Sequence, residues 1–169
     1  MKSFILRCAA AAGTLCLCAN AATALEQPTG SVILTVKGAI TQTNSDGVAK
    51  FDQAMLAALP GREAMMKTPW IEDETRFSGP YLRAVLDEVG SKGSKLIVRA
   101  LNDYAAEVPA SDAIEFDTIL AIKMNGKPMS VREKGPLFLI YPFDTNPNLY
   151  NEKYFTRSVW QIMEIEVVE

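Results

Sequence analysis

The apolar positions along this chain fall into short runs, most with the two-residue period of strands. Over residues 31–40, Val32, Leu34 and Val36 alternate with Ile33, Thr35 and Lys37, a β-branched pattern that predicts a first strand. Asn44-Ser45-Asp46-Gly47 closes it with turn chemistry. Phe51 and Asp52 read as a staple residue and an N-cap for a helix over 53–59, stopped by Pro60-Gly61. Gly79-Pro80 opens the clearest helical pattern, because proline suits the first helical position. Tyr81, Leu82, Val85, Leu86 and Val89 give it an apolar face, and Gly90 ends it. Strands are expected over 95–100 and 105–109, broken by Asn102-Asp103-Tyr104. Residues 119–124 and 129–131 flank Asn125-Gly126-Lys127-Pro128, a hairpin signal. Residues 137–141 read as a buried strand and 162–168 as a final one. The pattern predicts a mixed, β-rich α/β fold. No linker, repeat or charge block divides residues 25–169, so they read as a single domain.

The first 24 residues read differently. Lys2 and Arg7 precede an apolar run over 8–19, and Ala22-Thr23-Ala24 has the small-x-small pattern of a signal-peptidase site. The run is too short for a membrane span, which takes about 20 residues. Cys8, Cys16 and Cys18 follow Arg7, Leu15 and Leu17, so none has the small preceding residue that lipid attachment requires. Residues 1–24 are therefore read as a signal peptide, and residues 25–169 as a periplasmic protein that is not inserted in the membrane.

Composition narrows the chemistry. The chain is 49% hydrophobic and 22% charged with net charge −3, ordinary globular values without the basic surface that nucleic acid demands. Removing the leader takes two of the 17 basic residues, none of the 20 acidic ones, and every cysteine. Histidine is absent throughout. Residues 25–169 thus hold neither thiol nor imidazole, which excludes Ser-His-Asp catalysis and metal sites built on Cys or His. No dinucleotide fingerprint, phosphate loop or nucleophile elbow is present. Glu72-Asp73-Glu74 reads as a solvated turn rather than a cation site, because consecutive carboxylates rarely converge on one ion.

Four clusters at strand ends and turns share one composition. They are Trp70 with its neighbours, Asn102-Asp103-Tyr104, Tyr141-Pro142-Phe143-Asp144, and Tyr154 and Arg157 ahead of Trp160. Singly, such residues cap cores and turns. Together, aromatic faces, carboxylates and an arginine without a nucleophile suit a flat, hydrogen-bonding ring.

The order Thr68-Pro69-Trp70, Phe77-x-Gly79-x-x-Leu82-Arg83-x-x-Leu86 and Asn102-Asp103-Tyr104 through Val108-Pro109 resembles the molybdopterin-binding fold of sulfite oxidases. So does the continuation Leu120-Ala121, Asn125-Gly126-x-Pro128-Met129, Gly135-Pro136-Leu137, Tyr141-Pro142 and Trp160-x-x-x-x-Ile165-x-Val167. The resemblance covers roughly residues 31–168, nearly the whole chain after the leader. It implies the mixed α/β sulfite-oxidase fold with a pterin pocket at loop ends. Enzymes of that family hold molybdenum through a cysteine thiolate lying between the early helix and the Phe-x-Gly motif. Here that stretch is Glu63-Ala64-Met65-Met66-Lys67-Thr68-Pro69-Trp70, without cysteine. The chain is similar to small exported members of the fold, some of which report pterin levels to membrane enzymes of cyclic-di-GMP metabolism.

The resemblance implies a non-catalytic pterin-binding protein without molybdenum. Asp103, or failing it Asp144, would accept from the amino and ring N–H donors of the pterin. Trp70 or Tyr104 would stack on its face, and Tyr141 is a further expected ligand-binding residue. Arg157 would bond a carbonyl or hydroxyl, or else pair with a nearby acid. The loop over 142–154, with Phe143, Leu149, Tyr150 and Tyr154 read as exposed, is the expected surface for the periplasmic part of a membrane signalling partner. Two alternatives stay open: a molybdopterin-dependent oxidoreductase lacking the usual cysteine ligand, and an interaction protein with a vestigial pocket.

Overall fold

In the computed structural model, which describes residues 25–169, the first predicted strand is β1 (Val32–Gly38). Its alternation works as expected: Leu34 and Val36 are fully buried, while Ile33, Thr35 and Lys37 lie half-buried on the other face. The leader read over residues 1–24 lies outside the described residues. Strand β2 (Ala49–Asp52) returns antiparallel to β1 and runs into α1 (Gln53–Ala58). Asp52 caps that helix, one carboxylate oxygen accepting from the Met55 N–H at 2.9 Å. The other accepts from the Thr29 and Gly30 N–H groups at 2.8 and 2.7 Å. These backbone donors, Met55 first, hold its carboxyl below the ordinary value of 3.8.

Residues 61–78, for which the pattern predicts no element, form the longest hairpin together with Gly79 and Pro80. Strands β3 (Gly61–Thr68) and β4 (Ile71–Pro80) pair antiparallel about a turn at Pro69-Trp70. Glu72, Asp73 and Glu74 are exposed residues of β4 and not a turn. Period-two burial is present in β3, with Ala64, Met66 and Thr68 inside and Glu63, Met65 and Lys67 outside. It is written in residues of weak strand preference, so it does not stand out. Pro80 likewise ends β4 instead of opening a helix; α2 (Leu82–Glu88) starts after Tyr81. Gly79 is dictated by proximity, since a Cβ there would lie 2.0 Å from the Leu120 carbonyl oxygen.

Next come β5 (Lys95–Ala100), β6 (Ala105–Pro109), a short α3 (Ser111–Glu115) and β7 (Ile119–Ala121). The Asn125-Gly126 turn forms as read, with φ of 50° and 79°. Its arms are the two-residue strands β8 (Lys123–Met124) and β9 (Lys127–Pro128), and the predicted strand over 129–131 gives way to a 3₁₀ turn, Val131–Glu133. Strand β10 (Phe138–Ile140), a second short helix α4 (Glu152–Arg157) and β11 (Ile162–Val168) complete the chain.

The main sheet has the order β2-β1-β11-β5-β6, with β1 and β11 parallel and the other pairs antiparallel. The last strand therefore lies beside the first. A second sheet runs β3-β4-β8-β9, and β7 pairs with β10. This β7–β10 ribbon is buried on both faces. Leu120 and Leu139 enter the core formed with the main sheet, α1 and α2. Ile119, Ala121, Phe138 and Ile140 enter a second, aromatic core beneath the β3–β4 hairpin. Double burial explains why 137–141 reads as an unbroken apolar run. The fold is mixed α/β and strand-rich, as the pattern predicts. Among the described residues no helix is long and apolar enough to cross a membrane.

Candidate functional site

A cavity of about 340 Å³ opens where the aromatic core meets the end of the main sheet. Three segments bring side chains to it. The β3–β4 turn supplies Trp70, the β5–β6 turn supplies Asn102 and Tyr104, and α4 with the chain after it supplies Glu152, Phe155 and Trp160. Trp70 is held edge-to-face by Phe138, Phe155 and Trp160, with ring centroids at 5.5, 5.7 and 5.7 Å. Trp160 is fixed by a β-bridge to Phe138. Both tryptophans of the chain thus line one cavity. Tyr104, half exposed at 49%, donates its hydroxyl to the Thr156 carbonyl oxygen at 3.0 Å and so joins the β5–β6 turn to α4.

The polar groups of the lining differ in how far they are used. The Ser158 hydroxyl donates to the Tyr154 carbonyl at 2.8 Å, and the Thr156 hydroxyl to the Lys153 carbonyl at 2.9 Å. The Asn102 side-chain oxygen accepts from the Tyr104 N–H at 3.2 Å, leaving its amino group to point elsewhere. Glu152 is the sole charged residue of the lining. Such a site offers flat apolar walls, an amide and a carboxylate, which suits a planar heterocycle with hydrogen-bond donors along one edge.

A second cavity of the same volume lies against α1, β3 and β4 and is lined by Arg62, Lys123, Gly61 and Gly79, with no aromatic wall. It has nothing on which a flat ring can stack.

Of the six residues singled out from sequence, Trp70 and Tyr104 meet in the aromatic cavity. The other four do not line it. Asp103 sits on the β5–β6 turn with φ of 65°, exposed, its N–H bonded to the Ala100 carbonyl. A left-handed backbone position is one that Asp tolerates, and this accounts for the residue without a ligand. Asp144 pairs with the Arg62 guanidinium at the other cavity's edge. Tyr141 is fully buried, and its hydroxyl donates to Asp112 at 2.6 Å. Arg157 donates to the same Asp112 oxygen at 2.8 Å, the expected alternative of pairing with a nearby acid. Burial first, then the Asp112 hydrogen bond and charge, push the Tyr141 hydroxyl well above its ordinary range.

The loop expected to face a partner is also partly internal. Phe143 and Leu149 are 7% and 3% exposed, packed into the aromatic core, while Tyr150 stays open at 46%. A turn-rich segment predicts surface, but these two apolar side chains plug the end of the aromatic core.

Sequence reasoning missed Asn102 as a lining residue and missed Glu152, Phe155 and Thr156 altogether. The last three stand at i, i+3 and i+4 directly after Asn151, whose side chain caps α4 by accepting from the Lys153 N–H. That spacing is a helical face signal. A helix of six residues is too short for the pattern to stand out.

No curated protein matches the chain. The model of the oxidoreductase molybdopterin-binding domain family does, over residues 44–169, from before β2 through β11, and the chain belongs to that family.

Proposed function

We propose that this protein is an exported, non-catalytic pterin-binding module, with the pterin ring lodged in the cavity walled by Trp70, Trp160 and Phe155. The observation that carries this reading is the convergence of both tryptophans with a carboxylate and an amide on one cavity, in a chain of a molybdopterin-binding family. Aromatic stacking contributes about 0.5–1.5 kcal/mol beyond area burial for each good pair. Hydrogen bonds to a charged group add about 1.5–3 kcal/mol each.

The molybdenum of the family's cofactor does not fit the residues present. The stretch that would supply the thiolate presents Ala64, Met66 and Thr68 to the interior, and the Thr68 hydroxyl is buried without a partner among the described residues. A thioether or a neutral hydroxyl does not replace a thiolate on a high-valent metal. Among the described residues no group of three or more His, Cys, Asp or Glu side chains is placed to hold a metal ion. No reaction step is therefore assigned to the cavity.

A binder without catalytic groups acts through a partner. The reading includes relay of pterin occupancy to the periplasmic part of a membrane enzyme of cyclic-di-GMP metabolism. Relay requires that the partner distinguish loaded from empty protein. Export is supported by the leader features of residues 1–24.

The test is to purify the protein from the periplasm, identify the co-purifying small molecule by mass spectrometry and measure molybdenum by elemental analysis. A stoichiometric pterin without molybdenum is expected. Near-equimolar molybdenum overturns the non-catalytic reading, and tryptophan fluorescence unaffected by any added pterin overturns the binding one.

A further inference from the structure

Resting on the pterin reading, we infer that Glu152 is the residue that recognises the ring. The cavity then takes a heterocycle with adjacent amino and N–H donors and draws no affinity from a phosphate on its side chain. Glu152 is the only charged group of the lining, and no hydrogen bond or ion pair within the described residues uses its carboxylate. A carboxylate accepts two parallel bonds from an amino group and a neighbouring ring N–H. The Asn102 amino group, on the same cavity, is free to donate to a ring carbonyl beside those donors. Together they complement the amino, N–H and carbonyl edge of a pterin.

The cations around the cavity make the second half of the argument. None lines it. The Lys134 Nζ lies 4.3 Å from the centre of the Trp160 ring, and the Lys153 Nζ 5.1 Å from that of Tyr154. Arg157 is bound to Asp112. None of the three lines the cavity and Arg157 is engaged by a carboxylate, so the lining itself holds no phosphate clamp of the kind that a phosphorylated molybdopterin needs.

Quenching of tryptophan fluorescence reads binding directly, because both tryptophans are in the walls. Three probes separate the terms: neopterin, its phosphate monoester, and the lumazine analogue with a carbonyl in place of the amino group. Neopterin should bind about ten- to a hundredfold tighter than the lumazine. Glu152→Gln and Glu152→Ala, both at an exposed position, should bring the two within a few-fold. The phosphate ester should bind no tighter than neopterin. If neopterin binds but its preference over lumazine survives in both variants, or the ester binds tenfold tighter, the inference falls while the pterin reading stands. If none of the three quenches, the reading and the inference fall together.

Discussion

Arg157 and Tyr141 donate to the same oxygen of Asp112, at 2.8 and 2.6 Å. The three residues come from α4, the chain after β10 and the first turn of α3, so one carboxylate ties together segments up to 45 residues apart. The side chains of Asp112 and Arg157 are 6% and 19% exposed. Removing one member of such a pair strands the other, which costs about 3–5 kcal/mol. Asp112→Ala should lower stability by about that much, and Tyr141→Phe by about 1–2 kcal/mol. Urea midpoints at unchanged slope measure both. An Asp112→Ala loss below about 1 kcal/mol would show that the network is not structural.

The Tyr141 hydroxyl also sets a pH dependence. The folded state holds its proton more tightly than the unfolded state, whose tyrosine ionises near 10.0. Its effect on stability is flat below that pH and turns to a loss above it. The expectation is that Tyr141 ionises only as the protein unfolds, so the last step of the ultraviolet tyrosine titration coincides with loss of far-ultraviolet dichroism. Tyr141→Phe should show a shallower alkaline decline. Phenolate formation at Tyr141 with the fold intact would contradict this.

Asp103 and Asp144 serve as controls for the cavity assignment. Asn is tolerated at a positive φ as Asp is, and neither residue lines the aromatic cavity. Asp103→Asn and Asp144→Asn should therefore change neopterin affinity less than twofold. Asp144→Asn should cost about 1 kcal/mol or less through its ion pair with Arg62. A tenfold affinity loss in either variant would move the binding site away from α4.

Two substitutions in the loop over 142–154 should behave oppositely. Leu149→Asp places a charge in the aromatic core and should unfold the protein or cost at least about 3 kcal/mol. Tyr150 is exposed and borders Phe155, with ring centroids at 4.9 Å, so Tyr150→Ala should fold and report on docking. Capture of a membrane partner in the presence of neopterin should fall in this variant. Equal capture with and without neopterin would remove the relay from the proposed function.

The strand-rich pattern, the capped α1 and the Asn125-Gly126 turn are local matters, and each was legible because its signal lies within a few consecutive residues. The β3–β4 hairpin was not, since Ala64 and Met66 form an inner face only when the fold brings them into one core with Phe77 and Phe138. Trp70 and Tyr104, which line the aromatic cavity, were legible as candidates by type alone, because large aromatics at turns are conspicuous in any context. What tertiary structure alone decided is which polar groups remain available. Asp112 consumes Arg157 and Tyr141, and Arg62 consumes Asp144. The Asp103 position is accounted for by its turn. The carboxylate that reaches the cavity, Glu152, does so because α4 is packed beside β6 and its i, i+3, i+4 face turns toward Trp70. Electrostatic pairing and helix docking act between residues distant in sequence, so residue type can mark a group as capable of binding, but only its partners in space leave it free to bind.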